Sequence, residues 1–151
     1  MDIFVFSSET LTNIWAGIGA NMWAVADTGK NATFRGRATK SKNMKIGSFG
    51  ILYCNQTHSL TTPFIVYSGA DAEKIVENIW AGKWVLPFKM FPLGTPNRQL
   101  KNVEAKRILP IFKNDRNKGF SDVFHVQAVT VFSPSQIGID DWEILMNLLA
   151  I

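Results

Sequence analysis

The sequence predicts a mixed α+β domain built on a small, curved or closed β-sheet with helices around it. Three observations lead there. Apolar stretches of strand length outnumber helical patterns, in the order β-α-β, several β, α, several β, α. These stretches are short and are separated by polar turns punctuated with glycine and proline. The chain has 151 residues, 46% hydrophobic and 19% charged, which suits one domain with a proper core. Residues 1–151 therefore read as a single domain.

Ile3–Ser7 (IFVFS) reads as a short buried strand. Ser8 can cap the helix SETLTNIWA that follows, and Gly17 can end it. Met22–Asp27 is an apolar stub leading into a polar loop, TGKNATFRGRATKSKN. The turn in MKIGSFGILYC feeds a strand over Gly50–Cys54, and TTPFIVYS is the next strand. DAEKIVENIWAG predicts an amphipathic helix: Ile75, Val76, Ile79 and Trp80 share a face, Asp71 and Glu73 sit in the first turn, and Gly82 is the stop. WVLPFKMFPL carries two prolines and reads as an edge or irregular strand. KNVEAKRILPIF reads as a turn and a strand, and Phe124–Ser133 as the clearest strand of all. The chain closes with a helix carrying Asp140 and Asp141 in its first turn and Trp142, Leu145 and Leu149 on one stripe, so Trp142 is assigned to the core.

The word NIWAG occurs twice, at Asn13–Gly17 and Asn78–Gly82. The flanks share neither period nor length, so the reading is two helix ends with the same chemistry, each handing over to a strand, and not a duplicated unit.

Composition excludes several classes of function. No apolar run reaches the length of a membrane span, and Met1–Ser8 is too short for a signal core and lacks a basic start, so export is not expected. One cysteine, Cys54, rules out an internal disulfide; with the missing signal, it points to the cytoplasm. His58, His125 and Cys54 have no ligand-pair spacing, so no metal or other cofactor is expected. Cys54 ends an apolar strand and reads as an inert buried thiol, and Asp140-Asp141 as helix capping. There is no GxxxxGK[ST] loop. No catalytic constellation is visible, although an unrecognised small hydrolase stays an alternative.

What remains is basic residues and aromatics. Arg35, Arg37, Lys40, Lys42 and Lys45 follow one another with no acid among them, on what reads as a loop suited to phosphates. A second scatter runs from Arg98 to Lys118 and reads as a solvated face. The net charge of +4 permits a nucleic-acid partner. Tryptophan supplies the flat surface that binds a nucleobase, and two rings can sandwich a flipped one.

The stretch IFVFSSETLTNIWAGIGANMWAV, the basic segment and then MKIGSFGILYC resemble the start of an EVE domain. WVLPFKM resembles that family's tryptophan-and-proline segment, and IGIDDWEILMNLL its closing helix. The best single match is Trp23 followed by Met44-Lys45-Ile46-Gly47 and Leu52-Tyr53; Ser48 replaces the family's aspartate. EVE domains belong to the PUA-like superfamily, are close in fold to the YTH domains that read N-methyladenine in RNA, and occur fused to modification-dependent restriction enzymes. The resemblance implies a PUA-like curved or closed barrel flanked by helices, with an aromatic pocket that reads a modified base by base flipping. By position it implies Trp23 as the cage tryptophan, Ser8 and Asn13 as polar contacts, Ala24 as a source of backbone groups, and Trp80 or Trp84 as the second wall. It also implies a non-catalytic module serving a larger nuclease or motor protein, with DNA placed ahead of RNA as the partner. An RNA or single-strand binder without modification dependence is the alternative on the same fold.

Overall fold

The computed structural model describes residues 1–151. In chain order the elements are β1 (Ile3–Ser8), α1 (Leu11–Ala20), β2 (Met22–Ala26), α2 (Asn31–Ser41), β3 (Phe49–Cys54), β4 (Ser59–Val66) and β5 (Ile75–Val76). Then come β6 (Trp84–Pro92), β7 (Gln99–Lys101), α3 (Asn102–Ile108), α4 (Pro110–Asn114), α5 (Phe120–Phe124), a 3₁₀ turn (Ala128–Thr130) and α6 (Ile139–Leu149). The fold is the expected α+β class: one curled, half-barrel sheet flanked by helices.

The strand order is β1-β3-β4-β6-β2, with β5 beside β6 and β7 beside β4. Only the β1–β3 pair is parallel. Alternation along the strands sends side chains to two cores. Phe4 and Phe6 join Leu52, Phe64, Phe88 and Trp23 on one face. Ile3 and Val5 join Ile51, Leu60 and the side chains of α3–α6 on the other. The curl needs breaks in the ladder. One lies in β6, where Leu86 and Pro87 face the single residue Ala24 of β2; Leu86 takes φ 55°. β6 is irregular as expected, but it is no edge: it pairs with β2, β4 and β5.

Several expectations give way to tertiary structure. Residues 71–82 form no helix. Asp71 Oδ1 accepts from the Glu73 N–H at 2.9 Å, making a local turn, and Ile75–Val76 pair with Val85 and Trp84 of β6. The polar loop after Asp27 contains the helix α2, missed because only a thin stripe, Phe34 and Ala38, packs inward. Lys101–Phe112 is mostly helical: α3 breaks at Leu109, which Pro110 holds extended, and Pro110 opens α4. Phe124–Ser133 is no strand. Phe124 and Phe132 share a phase that would put both on one face, yet they belong to opposite cores. The segment therefore wraps around the β1 edge, with left-handed breaks at His125 (φ 53°) and Phe132 (φ 63°).

The helix caps also differ from expectation. Thr10, not Ser8, caps α1, its hydroxyl accepting from the Asn13 N–H at 3.1 Å. Gly17 lies inside α1, which ends on Asn21 in the left-handed region. Asp141 keeps its capping role: Oδ2 accepts from the Gly138 N–H at 2.9 Å, and Oδ1 from Ile111 N–H at 3.0 Å. Trp142 is buried against Phe49, as the apolar stripe predicts.

Gly50 marks the tightest contact in the sheet. A Cβ there would stand 2.1 Å from the Phe64 ring. Gly50→Ala is expected to destabilise the fold by about 1–3 kcal/mol through overpacking, read as a lower midpoint in chemical denaturation. An unchanged midpoint would show that Phe64 has room to move.

Candidate nucleic-acid interface

The two terminal strands of the sheet order, β1 and β2, line the same cavity, of about 610 Å³. Val5, Phe6 and Ser7 come from β1; Trp23, Ala24, Val25 and Ala26 come from β2. The half-barrel is open at this seam, and the cavity occupies the opening. Asn13 of α1 and Trp84 of β6 complete the wall, with Asn55 and the wrapping segment His125–Ala128. The wrap is fastened to the seam by Ser7, whose hydroxyl donates to the Val126 carbonyl.

Three tryptophans organise this end of the molecule. Trp23 is 1% exposed and Trp80 is 3% exposed, while Trp84 is half-buried. The Trp23 and Trp84 rings stand 6.2 Å apart at 73°, so they form a corner and not the parallel sandwich two flat walls would give. Trp80 lies behind Trp84, with centroids 4.8 Å apart, and packs edge-on to Trp23 at 5.2 Å. Its indole N–H donates to the Asn13 carbonyl at 2.9 Å. The two NIWAG words thus meet: the tryptophan of the second is hydrogen-bonded to the asparagine of the first.

The expected site residues divide accordingly. Asn13, Trp23, Ala24 and Trp84 line the cavity together. Trp80 supports the wall from behind and is not part of the lining. Ser8 is also absent from the lining; it is buried, and its hydroxyl donates to the Thr10 carbonyl at 2.8 Å, while Ser7 takes the cavity position. Of the basic run, Arg37 alone reaches the lining, and its guanidinium donates to the Ala26 carbonyl at 3.2 Å. Arg35, Lys40, Lys42 and Lys45 lie on α2 and just beyond it, on the exposed side.

The lining also includes groups that the sequence did not single out. Glu9 and Asn55 are joined, the Asn55 amide donating to Glu9 Oε1 at 3.1 Å. Asp27 accepts from the Gly29 N–H at 3.0 Å. His125 and Gln127 come from the segment read as a strand, whose false alternation hid them. No local motif marks these positions, because the seam that gathers them is a property of the whole sheet. The lining carries Glu9 and Asp27 against Arg37, and ten of its nineteen residues are hydrophobic. Such a cavity suits a flat, uncharged group with polar edges better than a phosphate.

The fold this geometry defines is that of the YTH domains. No family model matches the chain, and no curated protein matches it in sequence. Among solved structures, the Pho92 YTH domain in complex with m6A aligns with a TM-score of 0.63 at 16% identity, covering 98% of this chain and 82% of that one. The YTH domain of the Zygosaccharomyces rouxii MRB1 protein, in complex with N6-methyladenosine RNA, gives a TM-score of 0.60 at 13% identity, covering 97% and 85%. The Toxoplasma CPSF4-YTH domain in apo form gives 0.56 at 10%, covering 99% and 88%.

Gly17 sets how closely α1 approaches Trp23. A Cβ there would meet the Trp23 ring at 2.7 Å and the Met22 carbonyl at 3.0 Å, whereas one at Gly19 would meet nothing within 4 Å. Gly17→Ala is expected to cost about 1–3 kcal/mol and to perturb tryptophan fluorescence. Gly19→Ala should stabilise by about 0.5–1 kcal/mol through helix propensity alone. Equal effects of the two in thermal melts would refute the tight α1–Trp23 contact.

Proposed function

We propose that the protein is a non-catalytic reader of a modified base in nucleic acid, holding the flipped base in the Trp23–Trp84 corner. The observation that carries this reading is the seam cavity. It has two indoles set at an angle, a free Asn13 carboxamide and the Asn55–Glu9 pair for a base edge, and little net charge. Neighbours of the same fold in complex with N6-methyladenosine RNA support a binding module and a methylated adenine as the ligand to try first. They also favour RNA, where the resemblance to restriction-associated EVE domains had favoured DNA. The EVE assignment, a partner nuclease or motor domain and a cytoplasmic setting rest on that resemblance and the composition. The expected phosphate contacts belong to α2, with Arg37 at the cavity and Arg35, Lys40, Lys42 and Lys45 outside it.

Trp84 is the residue to test. Trp23 is so deeply buried that truncating it would cost about 3–5 kcal/mol of stability and confound any binding result. Trp84 is half-buried, and its loss removes a stacking surface worth about 1–3 kcal/mol. Trp84→Ala is expected to weaken binding of an RNA carrying N6-methyladenine roughly tenfold to hundredfold, with the circular dichroism spectrum retained. Trp84→Phe should recover most of the loss. The methyl group itself contributes only about 1 kcal/mol by burial, so plain adenine should bind a few times more weakly. Equal affinity of wild type and Trp84→Ala, or of methylated and plain probes in both RNA and DNA, would sink the reading.

A further inference from the structure

The outer face of the sheet is covered by α3–α6 over β1, β3 and the start of β4, but not at the far end of β4 and β6. There Ile65 pairs with Phe91, and the Tyr67 N–H donates to the Lys89 carbonyl at 2.7 Å, so these four residues share one surface. Phe91 is 52% and Tyr67 63% exposed, and their rings lie within 28° of parallel with centroids 6.1 Å apart. Ile46, 70% exposed, precedes Gly47, whose N–H donates to the Val66 carbonyl next to Tyr67 at 2.8 Å. Neither ring joins either core, and an open aromatic pair of this kind exceeds what the stability of the sheet requires.

The charges around this patch are cationic. Lys89 stands opposite Tyr67, and Lys45 precedes Ile46. The nearest acid along the chain, Asp71, accepts from the Glu73 N–H and keeps its charge, one carboxylate against the two ammonium groups. The α2 helix joins the patch to the cavity. Its Arg37 lines the cavity, and the four residues from there to Ser41, at 1.5 Å each, carry the helix about 6 Å further. Beyond its C-terminus Lys42 and Lys45 lead to Ile46, the Lys45 ammonium donating to the Lys42 carbonyl at 3.1 Å. Residues 30–45 hold six cations and no acid, more positive charge than the +4 of the whole chain.

We propose that Tyr67 and Phe91 form a stacking platform for unpaired bases of the same nucleic-acid strand whose modified base enters the cavity, with the α2 cations holding the intervening phosphates. The proposal rests on the nucleic-acid reading above. A flat ring pair flanked by ammonium groups is the surface that single strands occupy without regard to sequence. A duplex, with its bases stacked inward, would gain only the phosphate contacts.

The test compares wild type, Tyr67→Ala/Phe91→Ala and Tyr67→Phe by fluorescence anisotropy. The probes are single-stranded RNAs of about five and about fifteen nucleotides, with N6-methyladenine or adenine near one end; these lengths bracket the usual single-strand site. The long probe is expected to bind wild type and Tyr67→Phe about tenfold tighter than the short one. The double alanine variant should bind both lengths with the short-probe affinity and keep its preference for methylation. Both side chains are largely exposed and their stacked pair is a weak cross-strand contact, so its melting temperature should fall by no more than a few degrees. A length gain that survives the double substitution overturns the platform while leaving the modified-base reading intact. A gain that is lost as predicted, with no preference for methylation anywhere, supports the platform and removes the reading. A concentration-dependent dimer in sedimentation that the double variant abolishes would assign the patch to a second copy of this chain and overturn the proposal.

Discussion

Everything at the functional end depends on a seam that does not close. A sheet that curls far enough to bring its terminal strands together either zips into a barrel or must plug the gap. Here β1 and β2 approach across the cavity without pairing, and the gap is filled by α1 from one side and by the wrap at His125–Val131 from the other. The wrap can do this only because the Ser7 hydroxyl holds the Val126 carbonyl and the Ser135 N–H reaches Ile3. An opening in a barrel wall exposes the interior of the larger core, which is rich in aromatics. The apolar character of the cavity is therefore a consequence of the fold, and its polar groups are what the plugging segments add.

The tryptophans follow from the same geometry. Trp23 is the β2 residue facing inward at the seam, and its ring fits because Gly17 of α1 has no side chain. Trp80 closes the space behind, satisfying its N–H on the Asn13 carbonyl instead of leaving a buried donor unpaired. Trp84 is left with one face on this pair and one toward the cavity. A ring braced in this way loses little freedom when a base stacks on it, which is the condition for useful affinity from a single aromatic contact.

The elements easiest to read in the sequence were those whose pattern and burial agree: β1, α1, β3, β6 and α6. The fold class followed from their order. Residues 71–82 misled because Val76 and Trp80 are buried at helical spacing, while the backbone of Ile75–Val76 pairs with β6 and the Trp80 indole N–H donates to the Asn13 carbonyl. Phe124–Ser133 misled because its alternation conceals a crossing between cores, enforced at two left-handed residues that no composition rule marks. Of the cavity lining, Trp23, Asn13 and Trp84 were named through the resemblance to EVE domains, Trp84 as an alternative to Trp80. Glu9, Asn55 and His125 were not, since each reaches the cavity from a different connection and only the curled sheet brings them together.

The placement of charge completes the picture. Glu9 and Asp27 in the lining repel a phosphate, while α2 outside collects cations with no counter-charge of its own. On the proposed reading, discrimination and attraction would fall to different surfaces. The cavity decides by shape and hydrogen bonding, over distances of contact, and salt affects it little. The helix acts on any polyanion and weakens as counterions compete. Arg37 belongs to both, lining the cavity while its guanidinium donates to the Ala26 carbonyl of β2, so on the proposed reading it is where a strand drawn in by charge would meet the opening. On the proposed reading, a molecule arranged in this way would bind weakly wherever α2 finds phosphates and tighten only where a base leaves the stack and fits the corner.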